Sequence, residues 1–130
     1  MFCSENKLTE LDISKNKKVE RVSCDKNKIK TLKIGANNNL QYLTCYDNAI
    51  KSIDVSKCPN LLDIFIMNNK IKKIDVSKNR KLTSLQVQIN PIYRTPIKKL
   101  DLRKNKKLNL MQIGRGTIVK YKGKRRINWV

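Results

Sequence analysis

Apolar and polar residues recur along this chain with a period of 21 residues. Four segments align without a gap, VERVSCDKNKI from Val19, LQYLTCYDNAI, LLDIFIMNNKI and LTSLQVQINPI, and a shorter copy, MFCSENKL, opens the sequence. In each copy two apolar positions alternate with polar ones, which is typical of a short β-strand with one face turned inward. A fixed period of this kind predicts a solenoid, because every coil must put the same chemistry at the same place in the stack.

Three columns of the repeat define the strand and the turn that ends it. The two apolar columns are Met1, Val22, Leu43, Ile64, Leu85 and Cys3, Cys24, Cys45, Ile66, Val87. The third column, without exception among five copies, is Asn6, Asn27, Asn48, Asn69, Asn90. We expect the asparagine to turn the chain out of the strand, while its amide satisfies backbone groups that the turn leaves unpaired.

A second, similar half follows in each coil. It reads LDIS at Leu11, LKIG at Leu32, IDVS at Ile53, IDVS at Ile74 and LDLR at Leu100. Extended backbone is therefore expected on both the concave and the convex side, without room for a long helix. The last copy starts 26 residues after Ile74 instead of 21. Because the prolines of NPIYRTPIKKL oppose regular pairing, an insertion within residues 91–97 predicts a loop at Tyr93 and Arg94.

The repeat ends at Gly116, which stands where the turn asparagine is expected. The final segment, TIVKYKGKRRINWV, alternates around Lys122 and Gly123. This alternation predicts a β-hairpin cap over residues 117–130, in which Ile127 and Trp129 cover the open end of the core. The predicted fold is thus a mainly β solenoid over residues 1–116, with about six 21-residue coils and a parallel concave sheet.

Length and composition agree with one domain. The chain has 130 residues, of which 39% are apolar, and that is enough for a thin core between two sheets. No stretch approaches the ~20 apolar residues of a membrane span, and no signal segment opens the chain. Solenoids need a polar cap over the first coil, yet Met1 falls on a core column. We therefore expect a monomer or a piece of a longer repeat protein.

The net charge of +20 raises the question of an acidic partner. Of the 25 outward positions in the five complete strand segments, three are basic and four are acidic, so the predicted concave face is nearly neutral. The lysines crowd the convex side and the edges, in runs such as KNKK and RKNKK. Lys, Asn and Ile all have AT-rich codons, so base composition alone can account for the charge. The KYKGKRR cluster near Lys120 is the candidate exception, although lysine also commonly blunts edge strands.

The concave face instead carries aromatic and apolar side chains from two adjacent coils. The candidate partner-binding residues, with two glutamines of the next coil, are Tyr42, Tyr46, Leu62, Phe65, Met67, Gln86 and Gln88. Neighbouring strands lie about 4.8 Å apart, so these side chains are expected to form a single patch. Tyr and Phe supply large, rigid contact area and dominate binding hot spots, whereas isolated exposed apolar residues often have no role. Their clustering predicts a partner-binding site.

No catalytic, cofactor or metal site is indicated. The chain has no His, and catalytic triads and most general-base arrangements need an imidazole. The repeated acids are expected to be turn and edge residues, namely Asp12, Asp54, Asp75 and Asp101. Stacked aspartates bind calcium in some solenoids, but the glycine-aspartate nonapeptide of those repeats is missing here.

The cysteines follow the same period. Cys3, Cys24 and Cys45 lie in an inward column, where they are expected to act as small buried hydrophobes in a ladder of free thiols. Cys58 takes the position that asparagine holds in the convex half of other coils. A zinc site would need paired short spacings of Cys or His, and no CxxC occurs.

These repeats resemble the leucine-rich repeats of the bacterial internalin-type surface proteins, particularly their cysteine-ladder subtype. The resemblance rests on segments such as LTCYDNAIKSIDVSKC and covers roughly residues 1–116. It implies a curved solenoid, usually secreted or displayed on the surface, that binds proteins or glycans through its concave side. The sequence departs from the family in losing Cys after the third coil and in showing no N-terminal cap, signal peptide or wall anchor.

Together these observations predict a non-enzymatic binding module with a protein or glycan partner, located outside the cell or on a bacterial surface. Nucleic acid is the less favoured partner. The competing prediction is a polyanion or nucleic-acid binder that uses the lysine-rich convex side and the C-terminal hairpin. A third is a structural spacer within a longer repeat array, for which no ligand is expected.

Overall fold

The computed structural model describes residues 1–88, 97–114 and 116–122, together with the backbone of residues 128–129. These residues form a parallel β-solenoid of about five turns, and no helix occurs in them. The predicted solenoid is confirmed. On the convex side, strands form around Leu11, Leu32 and Leu100, but the segments of Ile53 and Ile74 form no strand. The predicted loop at Tyr93 and Arg94 lies outside the described residues, as does Asn90.

Ten short strands lie within the described part of the chain. They are β1 (Glu10–Asp12), β2 (Arg21–Ser23), β3 (Thr31–Lys33), β4 (Tyr42–Thr44), β5 (Asp63–Phe65), β6 (Ser84–Gln86), β7 (Lys99–Asp101), β8 (Leu110–Ile113), β9 (Ile118–Lys120) and β10 (Asn128–Trp129). The concave sheet has the order β10-β8-β6-β5-β4-β2, and two short convex sheets pair β1 with β3 and β7 with β9. All of these pairs are parallel, as expected when each strand repeats the one before it in the stack.

The register of the concave sheet follows the sequence period. Val22 lies beside Leu43, which lies beside Ile64 and then Leu85. In β2, β4, β5, β6 and β8 the residue of this column is buried, which places the core as a narrow column between the two faces. Met1 belongs to the same column in the sequence but is 39% exposed, because it lies at the edge of the stack.

The asparagine column connects each coil to the next by side-chain hydrogen bonds. The Asn69 amide donates to the carbonyl oxygens of Cys45, Ile66 and Met67 at 2.8 to 3.2 Å, and its Oδ1 accepts from the backbone N–H of Ile50 at 3.0 Å. Asn48 and Asn27 make the equivalent contacts one and two coils earlier, respectively. The predicted turn role of this column is confirmed in the coils that the structure describes.

The residue before each asparagine has a positive φ, a conformation that L-residues seldom adopt. These residues, with φ between 53° and 57°, are Glu5, Lys26, Asp47 and Asn68. Asn, Asp and other polar residues tolerate this region better than β-branched ones do. The column therefore forms a continuous polar edge at the end of the concave strands.

The convex half has its own column of asparagines, which hydrogen-bond between coils, and its own turns. Asn79 donates to the carbonyls of Val55 and Cys58, and Asn105 donates to those of Val76 and Asn79. Cys58 occupies the same ladder position, is fully buried, and directs its thiol to the carbonyl of Gly35 at 3.5 Å. At Cys58 a thiol therefore takes the place of the asparagine amide, and a thiol is a weaker hydrogen-bond donor.

The repeated aspartates, predicted to be turn and edge residues, close Asx turns. Each carboxylate Oδ1 accepts a hydrogen bond from the backbone N–H two residues later, at 2.8 to 3.1 Å. The four residues that do so are Asp12, Asp54, Asp75 and Asp101. The second coil has Lys33 at this position and takes a different turn, in which Gly35 has φ +68°. A Cβ at Gly35 would lie 2.9 Å from the Cβ of Ser14, so a glycine is required.

The C-terminal strands do not form the hairpin that the alternation predicts. β9 pairs in parallel with β7, and β10 pairs in parallel with β8, so each joins a different sheet. Alternation identifies a strand but not its partner, and the edges of β7 and β8 present unpaired backbone groups in parallel register. The segment therefore adds a further coil. The expected covering of the core by Ile127 and Trp129 lies outside the described side chains.

Candidate binding surface on the concave face

The predicted patch residues occupy outward positions on three neighbouring coils. In the sheet, Tyr42 lies beside Asp63, and Thr44 lies beside Phe65, which lies beside Gln86. Their side chains, like those of the other patch positions, are half-buried. The residues in question are Tyr42, Tyr46, Leu62, Phe65, Met67, Gln86 and Gln88. The structure thus brings all seven to one face in partly exposed positions.

An arginine stacks on this patch, and the sequence analysis did not single it out. The Arg21 guanidinium carbon lies 3.8 Å from the centre of the Tyr42 ring, and the two residues are register partners in adjacent strands. A guanidinium over an aromatic face is attracted by the ring quadrupole. The contact holds the ring in place, and Arg21, which is exposed, adds a fixed cation to the surface. The sequence did contain a sign of this contact, because Arg21 and Tyr42 occupy the same repeat position in adjacent coils.

A buried carboxylate supports the patch from beneath. Asp25 is only 5% exposed, although its position predicts an outward side chain. It accepts hydrogen bonds from the hydroxyls of Ser4, Ser23 and Thr44 at 2.9 to 3.3 Å, and from the backbone N–H of Tyr46 at 3.1 Å. Carboxylates are buried only when hydrogen bonds replace water. The small hydroxyl residues around Asp25 supply those bonds, and they anchor the strand end that carries Tyr46.

The polar edge borders the patch. Lys26 Nζ lies 2.9 Å from Glu5 Oε1, and the Asn68 amide donates to Asp47 Oδ1 at 2.6 Å. The hydrogen bond and charge of Lys26 lower the pKa of Glu5, and Glu5 in turn raises the pKa of Lys26. Both groups of the ion pair are exposed, so solvent screens its contribution to stability. The edge is thus a polar rim of nearly balanced charge.

On the far side of the surface, hydrogen bonds join side chains of neighbouring strands. Gln88 Nε2 donates to Gln112 Oε1 at 2.9 Å, and Thr83 Oγ1 donates to Asp63 Oδ1 at 3.1 Å. Leu110 extends the apolar part of the surface and is 40% exposed. Leu110 lies beside Ser84, whose side chain is buried although its position predicts an outward one.

The cysteine column runs along the inside of this sheet. Cys24, Cys45 and Cys58 are buried, Cys3 is partly exposed, and all four thiols are free. The predicted ladder of free thiols is confirmed. Hydrogen bonding from Cys24, together with burial, raises the pKa of the Cys45 thiol well above its ordinary value. Burial is the main cause that raises the pKa of Cys3 and of Cys58. These groups therefore stay protonated and act as apolar residues.

The chemistry of the surface is that of recognition. It offers aromatic faces, primary amides, a stacked guanidinium and a polar rim. Among the described residues, no group of three or more His, Cys, Asp or Glu is placed to hold a metal ion. The same residues include no helix long and apolar enough to cross a membrane.

Comparison with known proteins identifies the fold as that of leucine-rich repeats. The leucine-rich repeat family, in a form with two copies, matches residues 38–79. The functional domain of InlJ from Listeria monocytogenes, which includes a cysteine ladder, has a similar structure, with a TM-score of 0.76 and 33% sequence identity. The match covers 94% of this chain and 24% of that one. None of the curated proteins matches the sequence significantly.

The chain is therefore a leucine-rich-repeat protein, a class whose fold is a scaffold for protein interaction and is generally non-enzymatic. More narrowly, its repeats and fold are similar to those of an internalin-type domain, as the sequence resemblance predicts. It spans about a quarter of the length of InlJ, since the matched region covers 24% of that chain.

Proposed function

We propose that this chain binds a protein or a glycan through its concave face, as part of an adhesin-like protein that is secreted or displayed on a bacterial surface. The observation that carries the proposal is the half-buried patch centred on Tyr46 and Phe65. The similarity to the InlJ domain supports an extracellular or surface location.

The physical character of the patch favours a binding role. Aromatic side chains lose little entropy on binding and contribute large contact areas. Here they are already partly immobilised, because Arg21 stacks on Tyr42 and Asp25 holds the backbone of Tyr46. A surface that is ordered before binding loses less freedom when a partner arrives. The polar rim is of the kind that surrounds hot spots in known interfaces.

The experiment is a binding screen of the purified chain against extracellular proteins and glycans, followed by affinity measurement with a double variant, Tyr46→Ala with Phe65→Ala. We expect affinity to fall by a factor of about ten or more, as for loss of hot-spot residues. The melting temperature should change little, because both side chains are half-buried. Affinity of the unmodified chain should vary little between about 50 and 200 mM salt, since few ions are displaced by an aromatic surface.

The control is Tyr121→Ala, which removes an exposed aromatic side chain located outside the concave sheet. It should leave affinity unchanged. If the double variant binds as well as the unmodified chain, the concave face is not the binding surface. If it unfolds, Tyr46 and Phe65 belong to the core and the patch is structural.

A further inference from the structure

The convex side carries an open, strongly basic groove near its C-terminal end. It lies between the turn of Asp75 and the paired strands β7 and β9, with a volume of about 1060 Å³. Drug-sized ligands occupy pockets of roughly 300–1,000 Å³, so the space suits a segment of an extended polymer. The cationic residues that line it are Lys99, Arg103, Lys104, Lys106, Lys120 and Lys122.

The parallel pairing of β7 with β9 creates this concentration of charge. Lys99 lies beside Ile118 and Asp101 lies beside Lys120, while Leu100 between them is buried. Side chains alternate across a strand, so both terminal residues of each strand face outward. A hairpin would have given this edge a different register. The observed pairing places Lys120 beside Asp101, in the same groove as Lys99 of β7 and Lys104 of the following turn.

The carboxylates of the groove do not balance its cations. Asp101 is held by Arg103, whose Nε lies 2.9 and 3.1 Å from its two oxygens and whose Nη2 lies 2.6 Å from Oδ2. These hydrogen bonds lower the pKa of Asp101 to about 2, so it stays ionised and is paired with Arg103. Five lysines remain, and Asp75 is the second carboxylate that lines the groove. Within the described part of the chain, none of the five forms an ion pair.

Unpaired ammonium groups in one groove repel each other, and a multivalent anion relieves that repulsion while it releases bound counterions. Lysine recognises sulfate and phosphate as a point charge, without the fixed geometry of arginine. The residues that line the groove distinguish a sulfated polysaccharide from a nucleic acid as the source of these anions. Binders of single-stranded nucleic acid interleave cations with aromatic side chains on which bases stack, and no aromatic residue lines the described groove.

We propose that the convex groove binds a sulfated polysaccharide. Its lysines contact successive sulfates, and the apolar floor formed by Ile74 and Leu100 lies under the sugar backbone. This site is separate from the concave surface, so each proposal stands or fails without the other. The nearly neutral concave face and the basic convex groove thus serve different partners.

The test measures binding of a heparin oligosaccharide of defined length to the full chain, with Lys99→Gln, Lys104→Gln and Lys120→Gln combined. The control combines Lys51→Gln, Lys70→Gln and Lys72→Gln, three exposed lysines outside the groove, so that both variants lose equal charge. We expect the groove variant to lose about tenfold or more in affinity, and the slope of log K against log salt to fall by about 2. The control should change both quantities only slightly.

Three results would overturn the proposal. Equal losses in both variants would mean that total charge, not the groove, attracts heparin. Tighter binding of single-stranded DNA than of heparin at equal charge would make nucleic acid the partner. No heparin binding at about 150 mM salt, where charges more than ~8 Å apart are screened, would remove the site. The Tyr46→Ala and Phe65→Ala double variant should bind heparin normally, which separates this result from the concave proposal.

Discussion

At the scale of single residues, the turn asparagine explains the strictest feature of the repeat. At Asn27, Asn48 and Asn69, the amide reaches carbonyls of its own coil and of the preceding one, and Oδ1 accepts from a backbone N–H of the preceding coil. Asp has no donor, Ser has one short hydroxyl, and Gln places its amide one bond further out. Only Asn matches all of these contacts at once, which accounts for its recurrence at positions 27, 48 and 69.

Replacing Asn69 by Ala should therefore be costly. Asn69 is 6% exposed, and its removal leaves buried backbone groups on two coils without partners. We expect a loss of about 2–4 kcal/mol in the free energy of unfolding, since an unsatisfied buried polar group costs about 1–3 kcal/mol. Urea denaturation monitored by circular dichroism measures it. Asn6→Ala is the matched control, because Asn6 is exposed and bonds only within its own coil. Equal losses at the two positions would contradict this account.

At the scale of elements, the convex turns depend on ionised carboxylates. Each of the four aspartates accepts hydrogen bonds that favour its charged form. In Asp12 and Asp54 the side chain and backbone of the following serine lower the pKa, and in Asp75 the backbone of Ser77 contributes most. The convex sheets described are short, with two strands each. We therefore expect the Asx turns to contribute to keeping the convex backbone ordered.

The lowered pKa values of the four aspartates predict that the folded chain loses stability at acidic pH. The pKa of each aspartate is lower in the folded state, so its contribution is complete above the unfolded value, about 4. It is lost as pH falls through the folded value, which is about 2 for Asp101. We expect the urea midpoint to fall between about pH 4 and 2. Changing all four to Asn keeps a side-chain acceptor for each turn but removes the titration. A variant whose midpoint falls as steeply as that of the original chain would contradict the role of these groups.

At the scale of the whole molecule, the solenoid has one continuous core, and the thiol column is part of it. Cys24 and Cys45 are completely buried between the faces, whereas Cys3 at the edge of the stack is partly exposed. The pKa of the Cys45 thiol is raised, so alkaline pH alone exposes little thiolate while the coils stay stacked. Reactivity at these positions therefore reports unstacking of the coils.

We expect a thiol reagent at neutral pH to modify Cys3 slowly in the folded chain and all four cysteines in denaturant. Mass spectrometry of peptides identifies the modified sites. Cys58 is the internal comparison, since it is equally buried but lies in the convex ladder. Rapid modification of Cys24 or Cys45 under native conditions would show that the coils open locally, contrary to a tightly stacked core.

The period of the sequence was sufficient to predict the solenoid, its inward columns, the asparagine turns and the placement of the repeated aspartates in turns. These are properties of each repeat taken alone, and repetition makes one correct assignment valid for every coil. The face that carries the patch followed from alternation, since side chains on a strand have only two directions. The partner of each strand at the C-terminal end did not follow, because alternation is equally compatible with a hairpin and with a further coil.

The tertiary structure decided what depends on contacts between coils. Asp25 has an outward position but is buried, because hydroxyls from three different coils converge on it. The stacking of Arg21 on Tyr42 likewise joins residues one period apart, and the basic groove joins the Asp75 turn to the paired strands β7 and β9. The sequence by itself thus determined the coil and its two faces, whereas burial and charge at each site were set by which side chains the stacking brought together.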